Sequence, residues 1–424
     1  MLYGPSTLPR ACRSAGLNPP WALLLLAGYV FLRAALGALL NPPFNGPDEA
    51  GHVEYVRSFV ESGGRHVTGV EARQFPTYYA LAALPWLATS HLALAERLLA
   101  LRLLSAASGV ATTVAAALAA HLLWPHRPLL ALAVAAVASL APGNLYLLAS
   151  VSNDPLAIAF ASFSILAALR LALPGADAQR GPCSLVWLVT STLAIATKLT
   201  TLPVVLAGAG VLLWQHRREV WRRRWARALL GASVLGGLAV YAVLLAQHPT
   251  TSLGASLARF WLLALVRAPV AYWQQGGLAE SVRTFWYGYD YEVAWPPALE
   301  SALAVAVLGT GLAALAGLAL RGREVPGLLW GAAAVQVALV VGRYGFGDVL
   351  QIAMGGAGQA KSFLPAIVPL SILFVAGLAG AGDRAGLRDD RWLLLGLLAW
   401  LLALDGVSLA LGLWHHYRWS QIGF

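Results

Sequence analysis

Two adjacent carboxylates, Asp48 and Glu49, stand just after the first apolar run of the chain, 21–40, in a turn stiffened by Pro and Gly. A carboxylate that is partly desolvated at a membrane surface has a raised pKa and can act as a general base. His52 and Tyr55 follow Asp48 at helical spacing, so the three side chains share one helix face. This pattern predicts a reactive site, and the alternative is that Asp48 only caps the helix that begins there.

A further carboxylate stands in the turn 152–155, Ser-Asn-Asp-Pro, where Asn153 and Asp154 precede an apolar run. Such a turn is also a common helix-start signal, so capping is the alternative to substrate binding. Lys198 is a lone cation in a Thr-rich break of an apolar stretch, and ionisable groups at such a depth usually serve a function. The alternative for Lys198 is that its side chain reaches back to the membrane surface.

The Gly-rich segment 355–365 brings Gln359 and Lys361 to the start of a late helix. Backbone amides together with Lys361 would suit a phosphate group there, and the alternative is a loop with one interfacial lysine. Asp290 and Glu292, in an aromatic segment, are weak candidates for a divalent cation because two carboxylates are too few for a dedicated site. We therefore predict no metal and no other cofactor, although a divalent metal is compatible with the sequence.

The composition requires that membrane-spanning helices position these groups. Hydrophobic residues make up 59% of the 424 residues, charged residues only 11%, and the mean hydropathy is +0.68. Repeated apolar runs in such a chain predict an all-α integral membrane protein with about 11 transmembrane helices in one domain, 1–424. The predicted spans are 21–40, 103–123, 129–147, 155–173, 185–197, 201–215, 228–246, 297–320, 326–342, 362–380 and 392–413. We divide 185–215 into two short helices because a single one would bury Lys198 near mid-membrane.

The distribution of basic residues predicts the orientation of these spans. The Arg-rich segment 216–227 carries the strongest signal for a cytoplasmic loop, which places the N-terminus inside and the C-terminus outside. Two long loops, 41–102 and 247–296, then face the outer side, and the first carries the candidate base. Within it, 53–61 and 75–85 are predicted as amphipathic helices on the membrane surface. Since basic residues cluster at the ends of spans, the net charge of +10 indicates orientation and not a nucleic-acid surface.

Four motifs occur together and in order along the chain. They are Pro-Asp-Glu-Ala-Gly-His at 47–52 with Phe-Pro-Thr-Tyr-Tyr at 75–79, Ser-Asn-Asp-Pro at 152–155, Thr-Lys-Leu-Thr at 197–200 and Gln-Ala-Lys-Ser-Phe-Leu-Pro at 359–365. In this combination, over about residues 20–380, the chain resembles the GT-C superfamily of integral-membrane glycosyltransferases. The likeness is strongest to bacterial proteins related to protein O-mannosyltransferases and to the lipid A aminoarabinose transferases.

The resemblance implies a GT-C-like fold and an enzyme that moves a sugar, hexose or pentose, from a polyprenyl-phosphate donor to a glycan, lipid or protein acceptor. It implies transfer outside the membrane with inversion, Asp48 as general base, and Glu49 as a support for the base or as an acceptor-binding group. The residues that it assigns to the donor phosphate are Lys198 and Lys361, and Gln359 beside Lys361 is a further candidate for the donor phosphate. The substrate-binding candidates are His52, Tyr55, Tyr78, Tyr79, Asn153 and Asp154. The family usually carries Gly-Arg-Tyr where this chain has Ala-Lys-Ser at 360–362, and lysine lacks the bidentate fork of arginine.

The rival function is a polyprenyl-linked lipid flippase or carrier, which would also hold isolated charges among many helices. Transporters usually consist of two similar halves, and no second half of this sequence matches the first. We therefore expect a transferase of the bacterial inner membrane, with no nucleic-acid partner. If so, Asp48, Asp154, Lys198 and Lys361 should line one outward cavity that opens sideways to lipid.

Overall fold

The computed structural model describes residues 20–173, 180–215, 217, 266–286, 296–350, 360–387 and 389–420, and all regular structure in these ranges is helical. The first group of helices is α1 (Pro20–Leu40), α2 (Glu49–Glu61), α3 (Thr77–Ala88), α4 (Leu94–Leu123), α5 (Pro128–Leu140), α6 (Pro142–Leu148), α7 (Asp154–Ala172), α8 (Arg180–Thr197) and α9 (Leu202–Gln215). The second group is α10 (Gly277–Trp286), α11 (Pro297–Arg321), α12 (Gly327–Leu350), α13 (Ile367–Arg384) and α14 (Asp390–Ser420). Residues 266–274 are also helical.

Within the described ranges, six helices are long and apolar enough to cross a membrane, and they include α1, α4, α7 and α11. The other two are Leu364–Arg384 and Asp390–Gly412, and α5 with α6 makes a seventh if that bent pair is one span. Three further apolar helices are shorter, Gly181–Thr197, Leu199–Trp214 and Gly327–Gly342. By the length and composition of its helices, the chain is a multi-pass membrane protein, but the predicted count of about 11 spans is not confirmed. The predicted span 228–246 and most of the loop 247–296 lie outside the described residues.

Alanine-rich helices form the centre of the bundle. Helix α4 packs against α1, α5 and α7, and α5 also contacts α13 and α14. The interior faces of α4 and α5 are largely alanine, for example at 115–120 and 131–138. Small side chains let helix backbones approach closely, which is the main source of helix affinity where lipid replaces water.

Glycines hold α11 and α13 in direct backbone contact. A Cβ at Gly317 would overlap the carbonyl group of Gly377, and one at Gly377 would overlap the carbonyl of Ala314. This close contact fixes α13, and the segment that leads into α13 carries Lys361.

A bend of 63° separates α5 from α6, where Pro142 starts the second helix. Beyond the bend, the hydroxyl of Tyr146 donates a hydrogen bond of 2.6 Å to the carbonyl oxygen of Asn45. The bend therefore holds the turn that carries Asp48.

The break predicted at Lys198 is confirmed. Helix α8 ends at Thr197, Lys198 is extended with φ −155° and ψ 126°, and a short 3₁₀ turn, Leu199–Thr201, leads into α9. The two helices predicted in the loop 41–102 are present as α2 and α3. Their position on the membrane surface stays a prediction, and the exposed leucines of α3, such as Leu84 at 65%, suit such a position.

Candidate functional site

Asp48 occupies the position before α2 in a left-handed backbone conformation, with φ 58°. Its side chain makes no capping hydrogen bond to the helix, so the cap interpretation is wrong as a description of its contacts. Its Oδ2 instead accepts a hydrogen bond of 2.7 Å from Nζ of Lys361, 313 positions further along the chain. A left-handed conformation of a residue other than glycine costs about 1–3 kcal/mol and persists where surrounding contacts hold it.

Lys361 lies in a 3₁₀ turn, Ala360–Ser362, just ahead of α13. Partial burial is the largest single effect and raises the pKa of Asp48, but the hydrogen bond and the charge of Lys361, together with other nearby charges, hold that pKa below its usual value. The charge of Lys198 lowers the pKa of Asp48 further. About half of the Asp48 side chain, 53%, remains exposed, so its carboxylate is accessible from outside the protein.

A second ion pair lies close to the first. Nζ of Lys198 donates a hydrogen bond of 2.7 Å to Oδ2 of Asp154, the first residue of α7. Ser152 supports the carboxylate, since its hydroxyl donates to the same Oδ2 over 3.3 Å and accepts from the Asp154 amide. Both side chains are largely buried. Lys198 and Lys361 are the only lysines in the sequence, and each of them pairs with a carboxylate that sequence reasoning had singled out.

His52 is in charge interaction with both ion pairs. It is 2% exposed, and its Nδ1 lies 2.9 Å from the hydroxyl oxygen of Tyr79, within hydrogen-bond distance. Burial and then the charge of Lys198 lower the pKa of His52 to about 3, against opposing effects of Asp154 and Asp48. The imidazole is therefore neutral at physiological pH.

Tyr79 contacts the other aromatic rings of this cluster. The Tyr55 ring stacks on it with centroids 3.5 Å apart, and Tyr78 meets it edge-on at 5.2 Å. The hydroxyl of Tyr55 donates to the carbonyl oxygen of Gln74, and Nδ2 of Asn153 lies 3.3 Å from Oε1 of Gln74. Burial raises the pKa of Tyr79 and Tyr78, so both phenols stay protonated and act as packing and hydrogen-bonding groups.

Glu49 makes its hydrogen bonds to groups other than the two lysines. It is fully buried and accepts two hydrogen bonds from Arg102, at 2.8 and 2.7 Å. Its Oε1 also accepts from the backbone amide of Val151, 2.8 Å away. Arg102 in turn donates to the carbonyl oxygens of Ala38, Asn41 and Pro42. The pair thus ties the end of α1, the start of α2 and the turn before Asp154 together.

The structure brings most of the predicted site residues into one neighbourhood. The residues in contact or in charge interaction there are Asp48, His52, Tyr55, Tyr78, Tyr79, Asn153, Asp154, Lys198 and Lys361. Gln359, Asp290 and Glu292 lie outside the described residues. Among the residues that are described, no three His, Cys, Asp or Glu side chains gather as metal ligands. That the four charged residues line a cavity opening sideways to lipid stays a prediction.

Sequence reasoning missed two residues that shape the site. Arg102 carried no local signal beyond being a cation near the start of a span. Gln336 did carry a local signal, since it is the only amide, hydroxyl or charged side chain in the apolar stretch 327–342. Its amide nitrogen contacts the two segments that carry the lysines.

No family model matches the chain, and no curated protein matches it. Among solved structures, the chain is similar to ArnT from Cupriavidus metallidurans bound to undecaprenyl phosphate, with 14% identity and a TM-score of 0.37 over 86% of this chain and 78% of that one. For the apo state of the same protein, identity is 16% and the TM-score 0.37, over 87% of this chain and 78% of that one.

Proposed function

We propose that the chain is a glycosyltransferase of the GT-C type, which moves a sugar from a polyprenyl-phosphate donor to an acceptor hydroxyl on the extracytoplasmic side of a bacterial inner membrane. The observation that carries this proposal is the meeting of two carboxylate–lysine pairs, Asp48–Lys361 and Asp154–Lys198, around the buried His52. Residues of four separate sequence motifs contribute to it, and these are the motifs on which the resemblance to GT-C enzymes rests.

The chemistry of inverting transfer needs one base and a cationic pocket for the leaving group. The acceptor oxygen attacks the anomeric carbon while Asp48 takes its proton, and the bond from that carbon to the phosphate oxygen breaks. The electron pair of that bond leaves with the polyprenyl phosphate, whose charge Lys361 and Lys198 would stabilise. Two carboxylates that flank the scissile bond, as in glycoside hydrolases, are not needed.

The ion pair between Asp48 and Lys361 suggests how the donor prepares the base. While Lys361 holds the carboxylate, the pKa of Asp48 is low and the group is a weak base. A bound phosphate offers Lys361 a second anion, and a lysine shared between two anions stabilises the Asp48 carboxylate less. Donor binding would thereby raise the pKa of Asp48 at the moment when a base is required.

Glu49 fits a supporting role better than a chemical one. Its carboxylate is buried and its four hydrogen-bond contacts come from Arg102, Val151 and Gly46. We assign to it the positioning of Asp48, its neighbour in sequence, and of the turn that leads to Asp154. The aromatic group of Tyr55, Tyr78 and Tyr79 with Asn153 is proposed to bind the sugar or the acceptor.

The test is a reconstituted assay that separates transfer from lipid movement. The protein is placed in vesicles with radiolabelled polyprenyl-phosphate sugars and a mixture of membrane glycan and lipid acceptors, with undecaprenyl phosphate chosen as carrier after the ligand of ArnT. Label that appears on an acceptor supports the proposal. Label that crosses the bilayer but stays on the carrier lipid would instead establish the flippase.

A further inference from the structure

Gln336 is a buried amide in an apolar helix. It lies on α12, is 0% exposed, and is surrounded in sequence by alanine and valine. Transferring an amide from water to an apolar interior is unfavourable unless hydrogen bonds replace those made to water. Its contacts therefore indicate why the chain keeps a polar group at this position.

The amide nitrogen of Gln336 joins two separate segments. Nε2 lies 2.7 Å from the carbonyl oxygen of Ser362 and 3.4 Å from that of Thr200, so one NH₂ group donates to both. Ser362 directly follows Lys361, and Thr200 comes two residues after Lys198. The amide thus bridges the two short 3₁₀ turns that follow or contain the two lysines of the chain.

The carbonyl end of Gln336 makes no such contacts. Its Oε1 is buried and has no hydrogen-bond partner among the described residues. A buried acceptor without a partner destabilises the fold, whereas an apolar side chain of similar volume would avoid that cost. The geometry of Gln336 is therefore unfavourable for stability alone, and its two donated bonds are what distinguish it from methionine or leucine.

We infer that Gln336 is a positioning residue that sets the spacing between Lys198 and Lys361, so that both ammonium groups can hold one phosphate of a polyprenyl-phosphate donor. This inference rests on the proposed function, since it names a residue that acts on the donor site through others. The effect of Gln336 passes through the two backbone carbonyls that its amide nitrogen contacts.

The first test measures binding of undecaprenyl phosphate, without any sugar, to the purified protein in lipid nanodiscs. Gln336→Met keeps the side-chain volume, removes both donated bonds and also removes the unpaired oxygen. We expect its dissociation constant to be about tenfold higher than that of the wild type, and its melting temperature to be unchanged or higher. The matched control is Val337→Met, the next position on α12, which is 38% exposed and should bind as the wild type does.

A second variant covers the case in which Gln336→Met does not fold. Gln336→Asn keeps the amide but is one methylene shorter, so it can reach one of the two carbonyl oxygens and not both. We expect an affinity between those of the wild type and Gln336→Met. Wild-type affinity in either folded variant overturns the inference.

The outcomes separate this inference from the proposed function. If the wild type binds the lipid phosphate and transfers no sugar, the proposed function fails, and the Gln336 variants still decide the positioning role. If the wild type transfers sugar, Gln336→Met should raise the KM for the donor more than it lowers kcat, and an unchanged KM contradicts the inference. Failure of the wild type to bind undecaprenyl phosphate would contradict both the positioning role of Gln336 and the proposed function.

Discussion

At Asp48, two opposing effects decide whether the carboxylate can act as a base. Partial burial raises its pKa, and the hydrogen bond and charge of Lys361, together with other nearby charges, lower that pKa by more. The position of Asp48 after the first span made its carboxylate a candidate base. The sequence did not predict its left-handed backbone conformation or its ion pair with Lys361. Local sequence cannot predict a contact across 313 positions, because that contact depends on how distant helices pack.

Replacing Lys361 should change the pH dependence of transfer. In Lys361→Met, burial acts on Asp48 without the opposing ammonium group, so the pKa of Asp48 rises. The acid limb of the kcat/KM profile should move to higher pH, and the maximal kcat/KM should fall by about a hundredfold since a phosphate contact is lost. Lys361→Arg keeps the charge and is the control, with an acid limb near that of the wild type. An acid limb that does not move in Lys361→Met would show that Asp48 is not the group that titrates.

The neutral imidazole of His52 should make the protein less stable in mild acid. Its pKa is about 3 in the folded chain against about 6.5 unfolded, so below pH 6.5 the unfolded chain binds a proton that the folded chain does not. Stability should fall between pH 6.5 and pH 3, by on the order of 1 kcal/mol per pH unit. His52→Gln removes this contribution, and its melting temperature in detergent should fall less steeply from pH 7 to pH 5. Equal slopes for the two proteins would contradict the buried neutral state.

At the scale of elements, helix ends rather than helix centres build the site. The candidate side chains come from the start of α2, the start of α7, the end of α8 and the turn before α13. Breaks in the apolar runs at these points are indicated by Pro, Gly, Asn and Thr. The break at Lys198 could therefore be predicted from the sequence. The sequence predicts one continuous span, 129–147, across the bend between α5 and α6, because the two helices together are apolar enough to cross a membrane.

The buried ion pair between Glu49 and Arg102 should contribute more than any exposed ion pair to holding these helix ends together. Arg102→Met leaves Glu49 buried without its partner, and we expect a loss of about 3–5 kcal/mol in unfolding free energy. Glu49→Gln combined with Arg102→Met should recover part of the loss, because no charge is then left buried. The control is Arg57→Met on α2, whose ion pairs with Glu54 and Glu61 are solvent-exposed and should contribute less than about 1 kcal/mol. Equal destabilisation by Arg57→Met and Arg102→Met would contradict this assignment.

At the scale of the whole molecule, the chain joins its first and last long apolar helices within the described ranges. Nε and Nη2 of Arg33 on α1 each donate a hydrogen bond of 2.7 Å to the carboxylate of Asp405 on α14. Both side chains are almost completely buried. Composition predicted the class of protein, and periodic runs predicted most of the described spans. The pairing of α1 with α14 could not be predicted, since a lone Arg and a lone Asp in apolar runs carry no information about which residue each will meet.

The orientation of the molecule in the membrane determines which side the candidate site faces. If the Arg-rich segment 216–227 is cytoplasmic, the end of α1, the start of α7 and the break at Lys198 all face outside. The structure joins these segments through side-chain contacts, as a single outward-facing site requires. The central claim is that this site transfers sugar and that Asp48 is its base.

The most direct measurement is sugar transfer by Asp48→Asn beside the wild type in the same reconstituted vesicles. Asparagine is similar in shape and cannot accept the acceptor proton, so transfer should fall by about a hundredfold or more, with binding of undecaprenyl phosphate retained. Asp389→Asn, in the connection between α13 and α14, is the matched control and should transfer at the wild-type rate. A folded Asp48→Asn protein that transfers sugar as fast as the wild type would contradict the claim.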